Sequence, residues 1–374
     1  MAEAERRRVR SSSTARRLRR LAVGAGVAAV AAVGAVVAER TAARRLRARP
    51  DAEGREDLGA LPPEDLGPVT SFDGTKLHLR AAGPPDAPAL VFLHGITLDM
   101  TTWHYQWTAL SDRYRCILFD ARAHGRSGRP ASGDYSLGAM AKDLKAVLDT
   151  MVPNRPAVLI GHSMGGMAIL SFAEQFPEEF GNRVVGVVLV DTAASDVLRD
   201  VFGGIGARVG QGLRRVGKRY TTRPDLAERL QRRIRGFGAD FAFLVGWATN
   251  FGPNASPSQV EHITRLASEA PVEVWTQTLQ SLLEMDLKHA IERVTVPSLV
   301  IVGDRDLLTP KTSAQALRSA LPDARAVVIT GAGHISMMER HQVFNEVLEG
   351  YLEQMLAVGT GRRGRRARKT SAPA

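Results

Sequence analysis

Six short runs dominated by apolar residues punctuate this chain, at 89–93, 115–119, 157–160, 184–190, 297–302 and 324–329. Half-exposed strands alternate apolar and polar residues, whereas unbroken runs of this length mark strands covered on both faces, as in a parallel sheet. Between the runs lie stretches with helical spacing. Leu137, Met140, Leu144, Val147, Leu148 and Met151 predict a helix over 137–151. Further helices are expected from Met164 to Phe176 and from about Gln342 to Val358. Strands alternating with helices specify a doubly wound α/β sheet with right-handed crossovers. Ahead of it, Val69 to Arg80 alternates around Asp73-Gly74, which predicts a hairpin.

From about 192 to 285 the strand rhythm stops and only helical patterns appear, so this span is expected to be an inserted cap. The expected layout is a basic N-terminus (1–20), a hydrophobic segment (21–38), a linker (39–67), the folded body (68–358) and a basic disordered tail (359–374). Residues 21–38 are uncharged, and as a helix they would be about 27 Å long against a hydrocarbon core of about 30 Å. Eight arginines precede the run and five follow within a dozen residues, a bias that puts the N-terminus in the cytoplasm and the body outside. Small residues at Val36-Val37-Ala38 suit a processing site, and Arg16-Arg17 a twin-arginine feature. A cleaved export signal leaving a secreted body is therefore the rival of a membrane anchor, and an Ala/Arg-rich extension is the plain alternative. The formal net charge of +11 is clustered at 6–49, 208–235 and 362–369 rather than spread, and no nucleic-acid partner is expected. The single cysteine, Cys116, excludes an intrachain disulfide and any multi-cysteine metal site, and its apolar neighbours mark it as core filling.

Residues 156–166 carry the chemistry. Four apolar residues run into Gly161-His162-Ser163-Met164-Gly165, a Gly-x-Ser-x-Gly pattern at the junction of a predicted strand and a predicted helix. Glycines two residues either side let the backbone pass close to its neighbours and permit a disfavoured serine conformation with its hydroxyl outward. An alcohol is a poor nucleophile at neutral pH, so Ser163 needs a base within hydrogen-bond reach and a third group to fix that base in one tautomer. The base candidate is His334, in Gly331-Ala332-Gly333-His334 after the last predicted strand. The acid candidate is Asp306, in Gly303-Asp304-Arg305-Asp306, with Asp304 and Asp191 as alternatives. These positions follow the C-terminal ends of predicted parallel strands, where open α/β sheets bind ligands. Two backbone N–H groups are expected to hold a developing oxyanion, each worth about 3 kcal/mol: Met164, at the start of its helix, and Ile96, just after His94-Gly95. His94, His124 and His162 flank turns and are expected to pack, and His104, beside Trp103, either packs or touches substrate.

Taken in order, His94-Gly95, the stretch from Asp120 to Ser127, Gly161 to Gly166, Asp306 with Pro310, and Gly333-His334 resemble the α/β-hydrolase-fold serine hydrolases of the esterase and lipase-like kind, over residues 68–356. The resemblance implies a doubly wound, mostly parallel eight-stranded sheet with a helical cap insertion. It implies a triad of Ser163, Asp306 and His334, an oxyanion hole of Ile96 and Met164, and an acyl-enzyme intermediate with no cofactor and no metal. The implied activity is hydrolysis of a carboxylic ester, on a small-molecule ester or lipid substrate. The chain departs at Ala123, where members usually have glycine, which puts a tight turn in question. Members that hydrolyse epoxides or haloalkanes use aspartate at the nucleophile position, and serine here argues against both. Cofactor-free haloperoxidase or perhydrolase chemistry on the same fold, and a non-catalytic binding protein, are the other readings.

Within the cap, residues 208–235 hold ten Lys or Arg and two acidic residues, interleaved with Val209, Leu213, Val216, Leu226, Leu230 and Ile234. This is either a cationic surface for anionic lipid or an acidic substrate, or a solvated helix face. Phe237, Phe241, Phe243, Leu244 and Trp247 either line an apolar acyl pocket or dock the cap on the core. Nothing in the sequence sets the substrate or the oligomeric state.

Overall fold

The computed structural model describes residues 38–195, 229 and 238–370. The uncharged run at 21–38, apart from Ala38, and the basic stretch at 208–235, apart from Arg229, lie outside these residues, as does Phe237. Among the described residues no helix is long and apolar enough to cross a membrane.

Eight strands form one sheet: β1 (Glu64–Thr70), β2 (Lys76–Ala82), β3 (Ala89–Leu93), β4 (Arg115–Phe119), β5 (Ala157–His162), β6 (Val184–Val190), β7 (Ser298–Gly303) and β8 (Ala324–Ile329). Their order is β1-β2-β4-β3-β5-β6-β7-β8. β2 runs antiparallel to both neighbours, and every other pair is parallel. The expected mostly parallel eight-stranded sheet is therefore present, with the six apolar runs as β3 to β8. Every residue of β3, β4, β5 and β7 is buried, which is why those runs lack alternation. Successive residues feed opposite layers: Val91 and Leu93 enter one apolar core, Leu90 and Phe92 the other. β1 and β2 meet through Asp73-Gly74, where Gly74 takes φ 86°.

The helices are α1 (38–47), α2 (His104–Leu110), α3 (Leu137–Met151), α4 (Met164–Gln175), α5 (Ala239–Asn250), α6 (Pro257–Glu269), α7 (Leu279–Glu284), α8 (Lys288–Ile291), α9 (Lys311–Ala320), α10 (Ser336–Glu339) and α11 (His341–Thr370). α3 has the expected bounds. Its N-cap Ser136 accepts a hydrogen bond from the Ala139 N–H at 3.1 Å, and its apolar stripe is buried against the sheet. α11 runs to Thr370, through most of the expected disordered tail: a helix already nucleated adds one hydrogen bond per residue, and arginine is a good helix former, which carries it past Gly359, Gly361 and Gly364.

The stretch at 39–67, expected as a linker, is packed instead. α1 buries Ala43 completely, and β1 begins at Glu64, inside the expected linker. Arg47 donates to Asp240 at 2.5 Å and to Glu261 at 2.8 Å, with its guanidinium 4.5 Å above the Phe243 ring. Arg49 donates to the Pro253 carbonyl at 2.6 Å, and Asp51 accepts from the Ser258 N–H and hydroxyl at the start of α6. Some of the charges that suggest a solvated linker face the cap, Arg47 and Asp51 through α5 and α6, while others pair with the body: Glu53 with His341, Glu64 with Arg115 and Asp65 with Arg80. Of the expected aromatic cluster, Phe243 is buried and Leu244 and Trp247 pack against the core, so these three dock the cap, whereas Phe241 is exposed.

Candidate active site

β5 ends in Gly161-His162 and the chain turns at once into α4. Ser163 occupies the turn at φ 50° and ψ −116°, a conformation that costs a non-glycine residue about 1–3 kcal/mol. A Cβ on Gly161 would lie 2.6 Å from the Gly165 backbone, and one on Gly165 would lie 2.4 Å from the Leu93 carbonyl oxygen, so neither position admits a side chain. The turn is held from β6: the Ser163 N–H donates to the Val190 carbonyl at 2.9 Å, and the Thr192 hydroxyl donates to the Ser163 carbonyl at 2.7 Å.

His334 and Asp306 arrive on the loops after β8 and β7. His334 Nε2 lies 3.0 Å from Ser163 Oγ, and its Nδ1 lies 2.9 Å from Asp306 Oδ2. With Nδ1–H donated to the carboxylate, Nε2 keeps the lone pair that can take the serine proton. Asp306 Oδ1 accepts from the N–H groups of Leu308 and Thr309 at 2.8 and 2.9 Å, and its Oδ2 accepts from the Thr309 hydroxyl at 2.7 Å. Burial pushes the Asp306 carboxyl up, but the facing His334 charge and these hydrogen bonds outweigh it and hold the group below the usual carboxylate range. Burial likewise opposes the His334 imidazolium. The charge and hydrogen bond of Asp306, with the charge of Asp191, outweigh it and raise the pKa.

The alternative acids are engaged elsewhere. Asp304 accepts from the Gly331 N–H at 2.6 Å. Asp191 accepts from the Gly303 N–H and from Ser336. Met164 is the first residue of α4, where a backbone N–H has no intrahelical partner. The loop carrying Ile96 lies against the serine, since a Cβ on Gly95 would stand 3.3 Å from Ser163 Cβ.

The other histidines singled out in the sequence pack. His94 Nδ1 lies 2.8 Å from the Gly95 carbonyl oxygen and donates to it, while its Nε2 accepts from the Ala121 N–H at 2.9 Å, which ties the Ile96 loop to the turn after β4. His162 donates to the His334 carbonyl at 2.8 Å, and burial pushes its pKa down to about 3. His124 sits at 5.1 Å from the His94 ring, and burial again lowers its pKa to about 3. His104 packs edge-on against Tyr105 and Trp107. The turn at Ala123 forms with φ 62°, alanine bearing a left-handed conformation, and its buried methyl meets Ile96, Tyr135 and Val274. The sequence reading misses Thr309, although an aspartate followed three residues later by threonine is a recognisable side-chain-to-backbone turn signal. Among the described residues no group of three or more His, Cys, Asp and Glu is placed to hold a metal ion.

A family model described as the alpha/beta hydrolase fold matches residues 88–341. The 3-oxoadipate enol-lactonase 2 of Acinetobacter baylyi is 27% identical over 280 residues, covering 74% of this chain and 93% of that protein. The pimeloyl-[acyl-carrier protein] methyl ester esterase of Aeromonas hydrophila is 27% identical over 268 residues, covering 71% and 95%. Among solved structures, a thermophilic esterase from Thermogutta terrifontis superposes with a TM-score of 0.61 at 24% identity, over 78% of this chain and 99% of that one, a likeness of fold. The matched span takes in Ser163, Asp306 and His334, and the chain belongs to the α/β-hydrolase-fold family.

Proposed function

We propose that this protein is a serine hydrolase that cleaves a carboxylic ester through an acyl-enzyme intermediate. One observation carries this reading: an unbroken hydrogen-bonded chain from Ser163 Oγ through both His334 nitrogens to Asp306, at 3.0 and 2.9 Å. As Ser163 Oγ attacks the ester carbonyl, His334 Nε2 takes its proton, and Asp306 stabilises the imidazolium that forms. The Ile96 and Met164 amides are the donors for the oxyanion. Collapse of the tetrahedral species expels the alcohol, which receives the proton from His334. Water then attacks the acyl group with His334 as base, and the acid leaves as Ser163 regains its proton. Relatives named as a lactonase and a methyl ester esterase support an ester-type substrate.

Nitrophenyl esters test this. Wild-type protein is expected to release a burst of nitrophenol equal to the enzyme concentration, and Ser163→Ala is expected to lose roughly 10⁴-fold or more of kcat. Turnover of folded Ser163→Ala at the wild-type rate would contradict the assignment. The run at 21–38 is proposed as a tether holding the body outside the membrane, supported by its arginine flanks. Cell fractionation with N-terminal sequencing checks it: an intact N-terminus in the membrane fraction is expected, and a soluble protein beginning near residue 39 would overturn it.

A further inference from the structure

Asp191, the residue after β6, is placed at two costs. Its φ of 44° is left-handed, and its carboxyl is completely buried. Its hydrogen-bond partners are nevertheless all uncharged: the Gly303 N–H at 2.9 Å on Oδ1, and the Ser336 N–H at 3.1 Å with the Ser336 hydroxyl at 2.6 Å on Oδ2. Burying a carboxyl among uncharged partners costs stability, and strained backbone does so as well, so stability does not explain the residue.

The positions of its partners do. Gly303 closes β7 three residues before Asp306, and Ser336 opens α10 two residues after His334. Hydrogen bonds therefore close a ring: from Asp191 to Gly303, along the chain to Asp306, across to His334, along the chain to Ser336, and back to Asp191. The residues on either side of Asp191 grip the nucleophile turn, Val190 accepting from the Ser163 N–H and Thr192 donating to the Ser163 carbonyl. The end of β6 thus touches the loops of all three reacting side chains. The charged groups facing the Asp191 carboxyl are Asp306 and His334, while His162 on the adjoining β5 stays neutral. Burial first, and the Asp306 charge second, push the Asp191 carboxyl up to about 8.

On the reading of Ser163, Asp306 and His334 as a working triad, we propose that Asp191 is a positioning residue for the reaction, its carboxyl holding the acid-bearing and base-bearing loops in register over Ser163. The test uses the full chain with a fluorophosphonate probe, whose reaction with the serine requires no knowledge of the natural substrate. Asp191→Asn keeps the volume, but its amide can accept from only one of the two loops. Ser336→Ala removes one hydrogen bond and leaves the carboxyl in place. Labelling of Ser163 is expected to slow on the order of 10- to 100-fold in Asp191→Asn, the scale set by ångström misplacement of reacting groups, and by a smaller factor in Ser336→Ala. In both variants the low-field proton resonance of His334 Nδ1–H is expected to shift or broaden, which loss of stability alone does not produce in folded protein. Labelling at the wild-type rate, or an unmoved resonance, in folded Asp191→Asn overturns the proposal. Should that variant fail to fold, the same results in Ser336→Ala overturn it. A wild type that does not label refutes the hydrolase reading instead, and the His334 resonance still decides the positioning role.

Discussion

His334 stands between opposed electrostatic pulls, and the direction of the balance has consequences for rate and for stability. Its pKa lies above the ordinary 6.5, so the neutral base is available only at correspondingly higher pH. The acid limb of kcat/KM for an ester substrate is therefore expected to titrate above 6.5, and a limb at or below 6.5 would contradict the placement of Asp306 beside the imidazole. For stability, the raised pKa means a contribution fully present below 6.5 and lost as pH rises through the folded value. Asp306 has the reverse sign: its contribution is present above 3.8 and is lost as pH falls through its lowered folded value. The acid assignment is tested by asparagine substitution. Asp306→Asn removes the charge facing Nδ1 and is expected to lower kcat roughly 10³- to 10⁴-fold, whereas Asp304→Asn, whose partner is a backbone amide, is expected to stay within about tenfold. Ser163, Asp306 and His334 were legible because a strand–turn–helix motif and the order of the loops announce them. Ser336 and the clasp made by Asp191 were not, since hydrogen bonds between residues 112 and 145 positions apart leave no pattern in the chain.

Elements buried on both sides were the most legible, β3 and β4 down to their end residues, because a doubly covered strand is apolar nearly throughout, Arg115 at the start of β4 being an exception that pairs with Glu64. What joins elements was harder to see. Arg122, fully buried in the turn after β4, grips Asp143 on α3 with two hydrogen bonds of 2.7 Å and Asp73 in the β1–β2 hairpin at 3.1 Å. The partners lie 21 and 49 residues away, beyond any local periodicity. Removing the guanidinium strands the buried Asp143 carboxylate without a cation and takes one partner from the half-buried Asp73, which keeps those of Thr75 and Ser132. Arg122→Ala is expected to cost about 3–5 kcal/mol in urea denaturation, and a loss below about 1 kcal/mol would mean that the network is well solvated.

At the scale of the whole molecule, the segment from α1 to β1 is a strap across the cap rather than a tether between parts. Its composition is that of a linker, and its partners Asp240, Glu261 and Ser258 lie about two hundred residues further on, so composition alone misassigns it. Half-exposed ion pairs of this kind are worth about 0–1 kcal/mol each, so replacing Arg47 and Arg49 together by alanine is expected to leave global stability nearly unchanged. The effect should be local. Amide hydrogen exchange in α5 and α6 is expected to quicken while that of β3 to β7 stays fixed, and unchanged exchange in α5 and α6 would show that the strap does not hold the cap.

These scales converge on one serine, held in a strained turn with its base and acid brought from two other loops. Reaction of the full-length protein with a fluorophosphonate, followed by peptide mass mapping, tests that convergence most directly. The expected result is a single phosphonyl adduct on Ser163 that disappears in Ser163→Ala and slows sharply in His334→Ala. Folded wild-type protein that gains no adduct at Ser163, or gains it at the same rate without His334, would contradict the account.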